Sequence, residues 1–554
     1  MERTSRVARR TVASALVGSL LLAACGGGDD GGRSAASQST PTTETGQPVS
    51  GGSVVYGLES DTGGGFCLPA GQLAISGVMV AQSVYDPLTW PNDEGEYVPY
   101  LAESVTPNDD YTAWTITVRP DITFTDGSPL DADAVKLNLD TYRNVNPDIG
   151  STLFGLALRP ITDVSVTGPL TVVVTLSEPW VAFPAYLYSF GRMGMMAPAQ
   201  LTDEATCPTN LVGTGPFQLA GDFTPGQPVE LVRNPNYWRT DENGVQLPYL
   251  DSLTFVGVVE SAQRITQLQG GQLDAMHTHF AADLDRLQQE ADAGRVQLNL
   301  GDENREIRYY MLNAGRPPFD DERARLAFAT AIDRETINEL RNLGESTIAN
   351  GPFDEGVPGY VADPGFPAYD LDEASRLVEE VRAAHGGEFS LEIVILPDSE
   401  NRNEGELIAQ QLEAAGIDVD IRQVDQTAEI STAISGDYDV LLWRNHPGED
   451  PDTGYIWWHS GELTNFGKID DPEIDRLLED GRGNPDPAAR QAAYEGITSR
   501  FAENIWNVWA WYVTWGIATG PDVQGILGPP LPDGSIPSPI LAGTHPTLGM
   551  WVQQ

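Results

Sequence analysis

Apolar positions along this chain fall into two rhythms: alternate residues, as in a pleated strand, and every third or fourth, as in a helix. The clearest alternation of the two lies at 388–443. EFSLEIVILP predicts a strand, and NEGELIAQQLEAAG predicts a helix with Gly416 just past its end, where a left-handed residue is favoured. IDVDIRQVD is a second strand, QTAEISTAISGD a second helix ending at Gly436, and YDVLLW a third strand. Strand, helix, strand, helix, strand at these lengths predicts parallel βαβ units with right-handed crossovers. Ligands of open α/β sheets sit beyond the carboxyl ends of strands. The following loop, WRNHPGEDPDTGYIWWH (443–459), is therefore a candidate site, and it holds Trp443, Trp457 and Trp458.

Elsewhere the pattern is mixed. GSVVYGL (52–58) and LTVVVTL (170–176) read as strands, and 111–130 reads as two strands around a turn at Arg119-Pro120-Asp121. Asp131 stands where a helix N-cap belongs, ahead of ADAVKLNLDTY. DDERARLAFATAIDRETINEL (320–340) reads as one long helix capped by Asp320 or Asp321. Eight of the 12 tryptophans follow residue 440, and the run WNVWAWYVTW (506–515) is expected to be mostly core.

At 554 residues the chain is too long for one core. Its formal charge of −48 repels phosphate backbones and argues against nucleic acid as a partner. Solubility explains such a charge, as does a salty or alkaline exterior. Lys136 and Lys468 are the only lysines.

The start of the chain is basic (MERTSRVARR), and residues 11–24 are apolar and uncharged. Fourteen residues at about 1.5 Å each reach roughly 21 Å, short of a bilayer core of roughly 30 Å. This is the layout of an export signal, 1–24. Leu22-Ala23-Ala24-Cys25 resembles a bacterial lipobox, which implies cleavage before Cys25 and a lipid on its sulfur. Residues 25–50, almost without large apolar side chains, are expected to be a disordered leash. The remaining cysteines, Cys67 and Cys207, are even in number and exported, so a disulfide between them is expected.

Motifs for catalysis are largely missing. The sequence holds no G-x-x-x-x-G-K-[ST], no G-x-S-x-G and no H-E-x-x-H. His277 and His279 would share a strand face, but no third ligand stands at a telling spacing, so no metal and no cofactor is expected. Glu449, Asp450 and Asp452 offer carboxylates for glycoside hydrolysis, yet Asp450-Pro451-Asp452 is also ordinary turn chemistry. No catalytic residue is assigned.

Five stretches, in order, resemble one family, the extracytoplasmic solute-binding proteins of ABC importers, family 5 (peptide/nickel group). They are YLAESVTPNDDYTAWTITVRPDITFTDGSPLDADAVKLNL (100–139), GTGPFQL with LVRNPNYW (213–238), GGQLDAM (270–276), YYMLNAGRPPFDDERARLAFATAIDRETI (309–337), and GDYDVLLW through NFGKIDDPEIDRLL (436–478). The resemblance implies an α/β, bilobed periplasmic-binding-protein-like fold (class II/cluster C type) with an extra small domain, mixed sheets and a hinge. Lobe 1 would comprise 51–90, 213–305 and 515–554, with 91–212 as its extension, and lobe 2 would comprise 306–514. Crossings between lobes would fall near 212–215 and 305–315. The implied function is capture of di-/oligopeptides or peptide-like solutes by hinge closure and delivery to membrane permeases driven by a cytoplasmic ATPase. The chain would be a non-enzymatic monomer anchored by lipid outside the cell membrane. An oligosaccharide or metal chelate as ligand, or a secreted hydrolase, are the alternatives. Peptide-binding members hold the ligand's amine with an aspartate soon after the strand-ending tryptophan. Here that place falls at His446 or Pro447, and Glu449 is the nearby acid. The ligand-binding residues expected from loop and resemblance together are Glu59, Asp61, Tyr309, Tyr310, Asn313, Trp443, Asn445, His446, Glu449, Asp450, Trp457 and Trp458.

Overall fold

A computed structural model describes residues 46–60, 65–71, 73–151, 153–445, 450–538 and 540–553. The signal segment, Cys25 and the leash up to residue 45 lie outside the described residues, as do Asp61, His446 and Glu449.

The described chain opens with β1 (Ser53–Leu58), α1 (Ile75–Val84) and a ribbon of β2 (Thr89–Pro91) with β3 (Tyr97–Pro99). A four-stranded antiparallel sheet follows, built from β4 (Ala102–Pro107), β5 (Ala113–Val118), β6 (Ile161–Gly168) and β7 (Thr171–Leu176) in the order β4-β5-β7-β6. Between β5 and β6 lie α2 (Ala132–Tyr142) and α3 (Leu153–Ala157), and α4 (Phe183–Tyr186) follows β7. Next come β8 (Phe217–Leu219), β9 (Val229–Arg233), β10 (Ser252–Gly257), α5 (Ser261–Gln269), β11 (Ala275–Thr278), α6 (Ala281–Asp292) and the long β12 (Gln297–Leu312). The helices α7 (Glu322–Ala331), α8 (Arg334–Asn342) and α9 (Leu371–Ala384) precede β13 (Ser390–Ile395), α10 (Ser399–Ala414), β14 (Asp418–Gln423), α11 (Gln426–Ser435) and β15 (Val440–Asn445). The chain then forms α12 (Tyr455–Trp458), α13 (Pro472–Gly483), α14 (Pro487–Asn504), β16 (Asn507–Thr519) and the pair β17 (Val523–Gln524) and β18 (Trp551–Val552).

Ten of these strands form one mixed sheet in the order β14-β13-β15-β12-β16-β11-β1-β10-β9-β8. The predicted βαβ units are present: β13 pairs in parallel with both β14 and β15. Two lobes meet along this sheet, and β12 and β16 belong to both. β16 pairs with β11 through Gly516–Thr519, while β12 pairs with β15 through Ile307–Leu312. Their mutual ladder slips register between Gly301 and Glu306, which lets the two halves of β12 take different directions.

Several local expectations change. The second strand of 111–130 shrinks to a single bridge, Thr123 with Pro129, and β5 finds its hairpin partner upstream in β4. Alternation in β4 is poor, because most of its residues are exposed or half-buried. The helix expected over 320–340 is two helices: Ile332 is extended, and Asp333 caps α8 by accepting the Thr336 N–H (3.0 Å). Residues 212–215 pack against the end of α1. The Gly215 N–H donates to the Val84 carbonyl (2.9 Å), and a Cβ at Gly213 would lie 2.0 Å from that oxygen, so the GTGP stretch needs bare backbone there. Asp131 caps α2 as expected, accepting the Ala134 N–H at 3.0 Å. β16 is buried along nearly its whole length, in line with the core expectation for the tryptophan run.

Cys67 and Cys207 are joined in a disulfide, with Cα atoms 5.0 Å apart. Beside it, Pro208 accepts the Phe66 N–H (2.8 Å), and Gln200 donates to the carbonyls of Phe66 and Cys207.

Candidate functional site

Where β12 and β15 run side by side, their alternating residues point to opposite faces. Glu306 and Arg308 of β12 share a cavity with Leu442, Trp443, Arg444 and Asn445 of β15. This inner cavity has a volume of about 170 Å³. Its apolar side includes Leu73, Val78, Tyr188, Phe190, Ile456 and Trp457, drawn from segments far apart in sequence. The remaining wall comes from α11 through Gln426, Glu429 and Ile430. An adjoining cavity of about 920 Å³ shares Leu396, Gln426 and Arg444 with it and adds Glu59, Arg264, His279 and Asp398. The larger volume lies within the roughly 300–1,000 Å³ usual for small-molecule sites.

A charged cluster floors both spaces. Arg444 donates to Glu59 at 2.9 Å, bridging β15 and the end of β1, and lies 3.8 Å from Glu306. Burial opposes the charge on Arg444, but Glu59 and Glu306 outweigh it and hold the guanidinium above its ordinary value. Burial raises the Glu59 carboxyl, yet Arg444, His277 and Arg264 together keep it below the usual carboxylate range. Glu306 accepts the Trp515 indole N–H at 2.9 Å and is pushed upward by burial. Arg308 donates through two nitrogens to Glu404, each at 3.0 Å, and to Asn401 at 2.7 Å. Glu429 is pushed up to about 7 by burial, against the pull of Arg308 and Arg444.

His277, on β11, serves this cluster. His277 Nε2 accepts the Glu59 N–H (2.9 Å), which places its proton on Nδ1, 3.1 Å from the Gly543 carbonyl. Burial holds His277 down to about 4, and His545 likewise. A depressed histidine contributes stability that is complete above its unfolded value of about 6.5 and is lost as pH falls toward the folded value. Asp86 and Glu429, raised by burial to about 6 and about 7, act in the opposite sense, so melting temperature mixes the two effects. Histidine NMR separates them: the His277 and His545 rings are expected to show no titration from pH 8 to 5. A midpoint near 6.5 for His277 would mean that the cluster is open to water.

The expected site residues divide into groups. Trp443, Asn445 and Trp457 line the inner cavity, and Glu59 lines the outer one. Tyr309 and Tyr310 are buried, packed on Trp509 and Phe328, and do not line either cavity. Asn313 donates to the carbonyls of Gly436 and Tyr438, both at 3.0 Å, which fastens the turn after α11. Trp458 is core, against Phe353 and Phe501. Asp450 is paired with Arg490 (2.6 Å). Asp452 is fully buried against Arg482 (2.9 Å) and accepts the Trp180 indole N–H (2.7 Å). Their carboxylates are committed to holding the 450–458 turn rather than to attacking a ligand. Asp61, His446 and Glu449 lie outside the described residues.

Sequence reasoning missed Glu306, Arg308, Arg444 and Glu429. Three of them left a trace: Glu306 and Arg308 stand two apart in NREIRYY, charges on one face of an apolar strand, and Arg444 sits between two residues already singled out. Glu429 is a lone acid on the apolar side of a helix that otherwise reads as ordinary.

Residues 96–466 match the family described as Bacterial extracellular solute-binding proteins, family 5 Middle. The Glutathione-binding protein GsiB of Pectobacterium atrosepticum is 27% identical over 455 residues, covering 78% of this chain and 82% of GsiB. The Nickel-binding periplasmic protein of Escherichia coli is 23% identical, covering 82% of this chain and 88% of its own. Among solved structures, the oligopeptide-binding protein AppA from Bacillus subtilis, in complex with a nonapeptide, superposes with a TM-score of 0.78 at 20% identity, covering 92% of this chain and all of AppA. At that identity the superposition speaks for the bilobed α/β fold alone. The sequence match, which spans well over half of the chain, decides the rest: this protein belongs to the bacterial extracellular solute-binding proteins of family 5.

Proposed function

We propose that this chain captures small peptides or peptide-like solutes outside the cell membrane and hands them to an ABC permease, whose work is driven by a cytoplasmic ATPase. The observation that carries the reading is the paired cavity: an apolar wall with Trp443 and Trp457 faces charges of both signs, the buried Glu306 and Glu429 and the half-buried Arg444. A peptide presents that combination, apolar side chains beside a carboxylate and an amine. A neutral sugar satisfies the aromatics but leaves the charges unanswered.

Capture by closure requires that the ligand favour the closed arrangement over the open one. Residues 301–306 of β12 and the facing stretch of β16 are the natural hinge, because the ladder is already irregular there. In this reading one lobe is 306–514 and the other is the remainder of the folded chain. Relatives in this family are solute-binding proteins rather than enzymes. The chain itself does no covalent chemistry on its solute: Asp450 and Asp452 are tied to Arg490 and Arg482. Cys25 carries the lipid that holds the monomer at the membrane face.

A thermal-shift panel of di- to hexapeptides, oligosaccharides and nickel chelates tests the reading. A ligand present at 1,000 times its Kd adds about 4 kcal/mol to the native state and raises the melting temperature. At least one peptide class is expected to do so. A shift with oligosaccharides or chelates and none with peptides would overturn the peptide assignment.

A further inference from the structure

Glu429 stands out among the groups that line the inner cavity. It is 6% exposed, and its Oε1 has no hydrogen-bond partner among the described residues. Its position on α11, three residues after Gln426 and next to Ile430, sets it in the cavity wall. Two cations act on it without bonding to it. Arg308 is held by Glu404 and Asn401, and Arg444 donates to Glu59 through Nη2 while its Nη1 has no hydrogen-bond partner among the described residues. Both draw on Glu429 electrostatically, with Asp398 and Glu59 opposing them, but neither arginine donates to Oε1. A buried carboxylate oxygen without a donor is an unrecovered cost of folding. Natural proteins keep such a group where a ligand answers it.

The complement of this group is specific. It is a positively charged nitrogen with N–H donors, small enough to pass the apolar wall of Leu442, Trp443 and Ile456. We infer that Glu429 receives the ammonium or other basic nitrogen of the captured solute, from α11 rather than from the loop after β15, and so selects basic solutes over their acylated counterparts. The inference rests on the solute-capture reading above and assigns a chemical class to one end of the ligand.

Isothermal titration of the full chain, wild type against E429Q and E429M, tests it. The probes are free di- and tripeptides bearing leucine or phenylalanine, the N-acetylated form of each, and amine-free oligosaccharides. A hydrogen bond to a charged group sets the scale at about 10- to 100-fold. The wild type is expected to prefer the free peptide over its acetylated form by that factor, and both variants are expected to lose the preference while binding acetylated peptide as the wild type does. A preference kept in E429Q would overturn the inference. Wild-type binding of oligosaccharides alone would overturn it too, while leaving solute capture in place. Failure of every probe, with no solute carried through purification, would overturn both. Without ligand, E429Q is expected to melt at or above the wild-type temperature, because it loses a buried unpaired charge. A clearly lower melting point would assign Glu429 a structural role and sink the inference.

Discussion

Glu404→Gln is expected to lower the unfolding free energy by about 3–5 kcal/mol, read as a fall in the urea midpoint. Glu404 is fully buried on α10 and answers two buried arginines at once. Arg308 reaches it from β12 at 3.0 Å and Arg341 from α8 at 2.9 Å. The rings of Phe280 and Trp511 lie over Arg341, 5.4 Å and 5.1 Å from its guanidinium, so water has little access. Glutamine keeps the shape and removes the charge, which strands two guanidinium groups in a low-dielectric setting. The loss comes from the stranded charges rather than from the missing bonds. A triple variant that replaces all three residues with apolar side chains of similar volume is accordingly expected to recover most of it. If Glu404→Gln were as stable as the wild type, solvent would have to reach this cluster. Because a domain's whole stability is roughly 5–15 kcal/mol, the single variant stands to lose a large share.

The second large effect is expected from the double variant Cys67→Ser, Cys207→Ser. The bridge closes a loop with a sequence separation of 140. In the chain-entropy account a loop of that length restricts the unfolded ensemble by about 5 kcal/mol. A comparable drop in stability is expected in the double variant and in the reduced wild type. The carbonyl of Cys67 also accepts the N–H groups of Ala70 and Gly71, and Gly71 and Leu73 line the inner cavity. The same variant is therefore expected to bind solute more weakly even below its melting point. Equal melting of oxidised and reduced protein would show that the 67–207 loop is held by its packing alone.

What the sequence made legible follows from how local the signal was. The βαβ run at 388–443 could be read because strand and helix periods alternate there with glycines at the ends, and Gly436 does end α11 in a left-handed conformation. β4 could not be read from 102–107, because one exposed face and a register shift beside Ala102 erase the alternation. The break in 320–340 was hidden because Asp333 looks like one more polar residue on a helix, and only its bond to Thr336 shows it starting a new one. Within the site, Trp443 and Trp457 were visible as unusual residues in a loop. Tyr309 and Tyr310 were expected at the site because the family resemblance puts them on a lobe-joining strand beside the cleft, yet a strand at the middle of a ten-stranded sheet buries both of its faces, and the two rings went to packing. The charges that count, Glu306, Arg308, Arg444 and Glu429, come from three elements and meet only after folding.

The placement of β16 has a consequence for synthesis. The strand is laid between β11 and β12, both made long before it, so the central sheet keeps an open seam until residues 507–519 emerge. Until then β11 and β12 each present an unpaired edge. The closing strand, NVWAWYVTWGIAT, carries no charge and no proline, which is also the composition of a segment prone to stick to copies of itself. Aggregation hazard in this protein is thus concentrated in time, in the interval between the making of β12 and the docking of β16, and slowing the chain within 313–506 lengthens that interval.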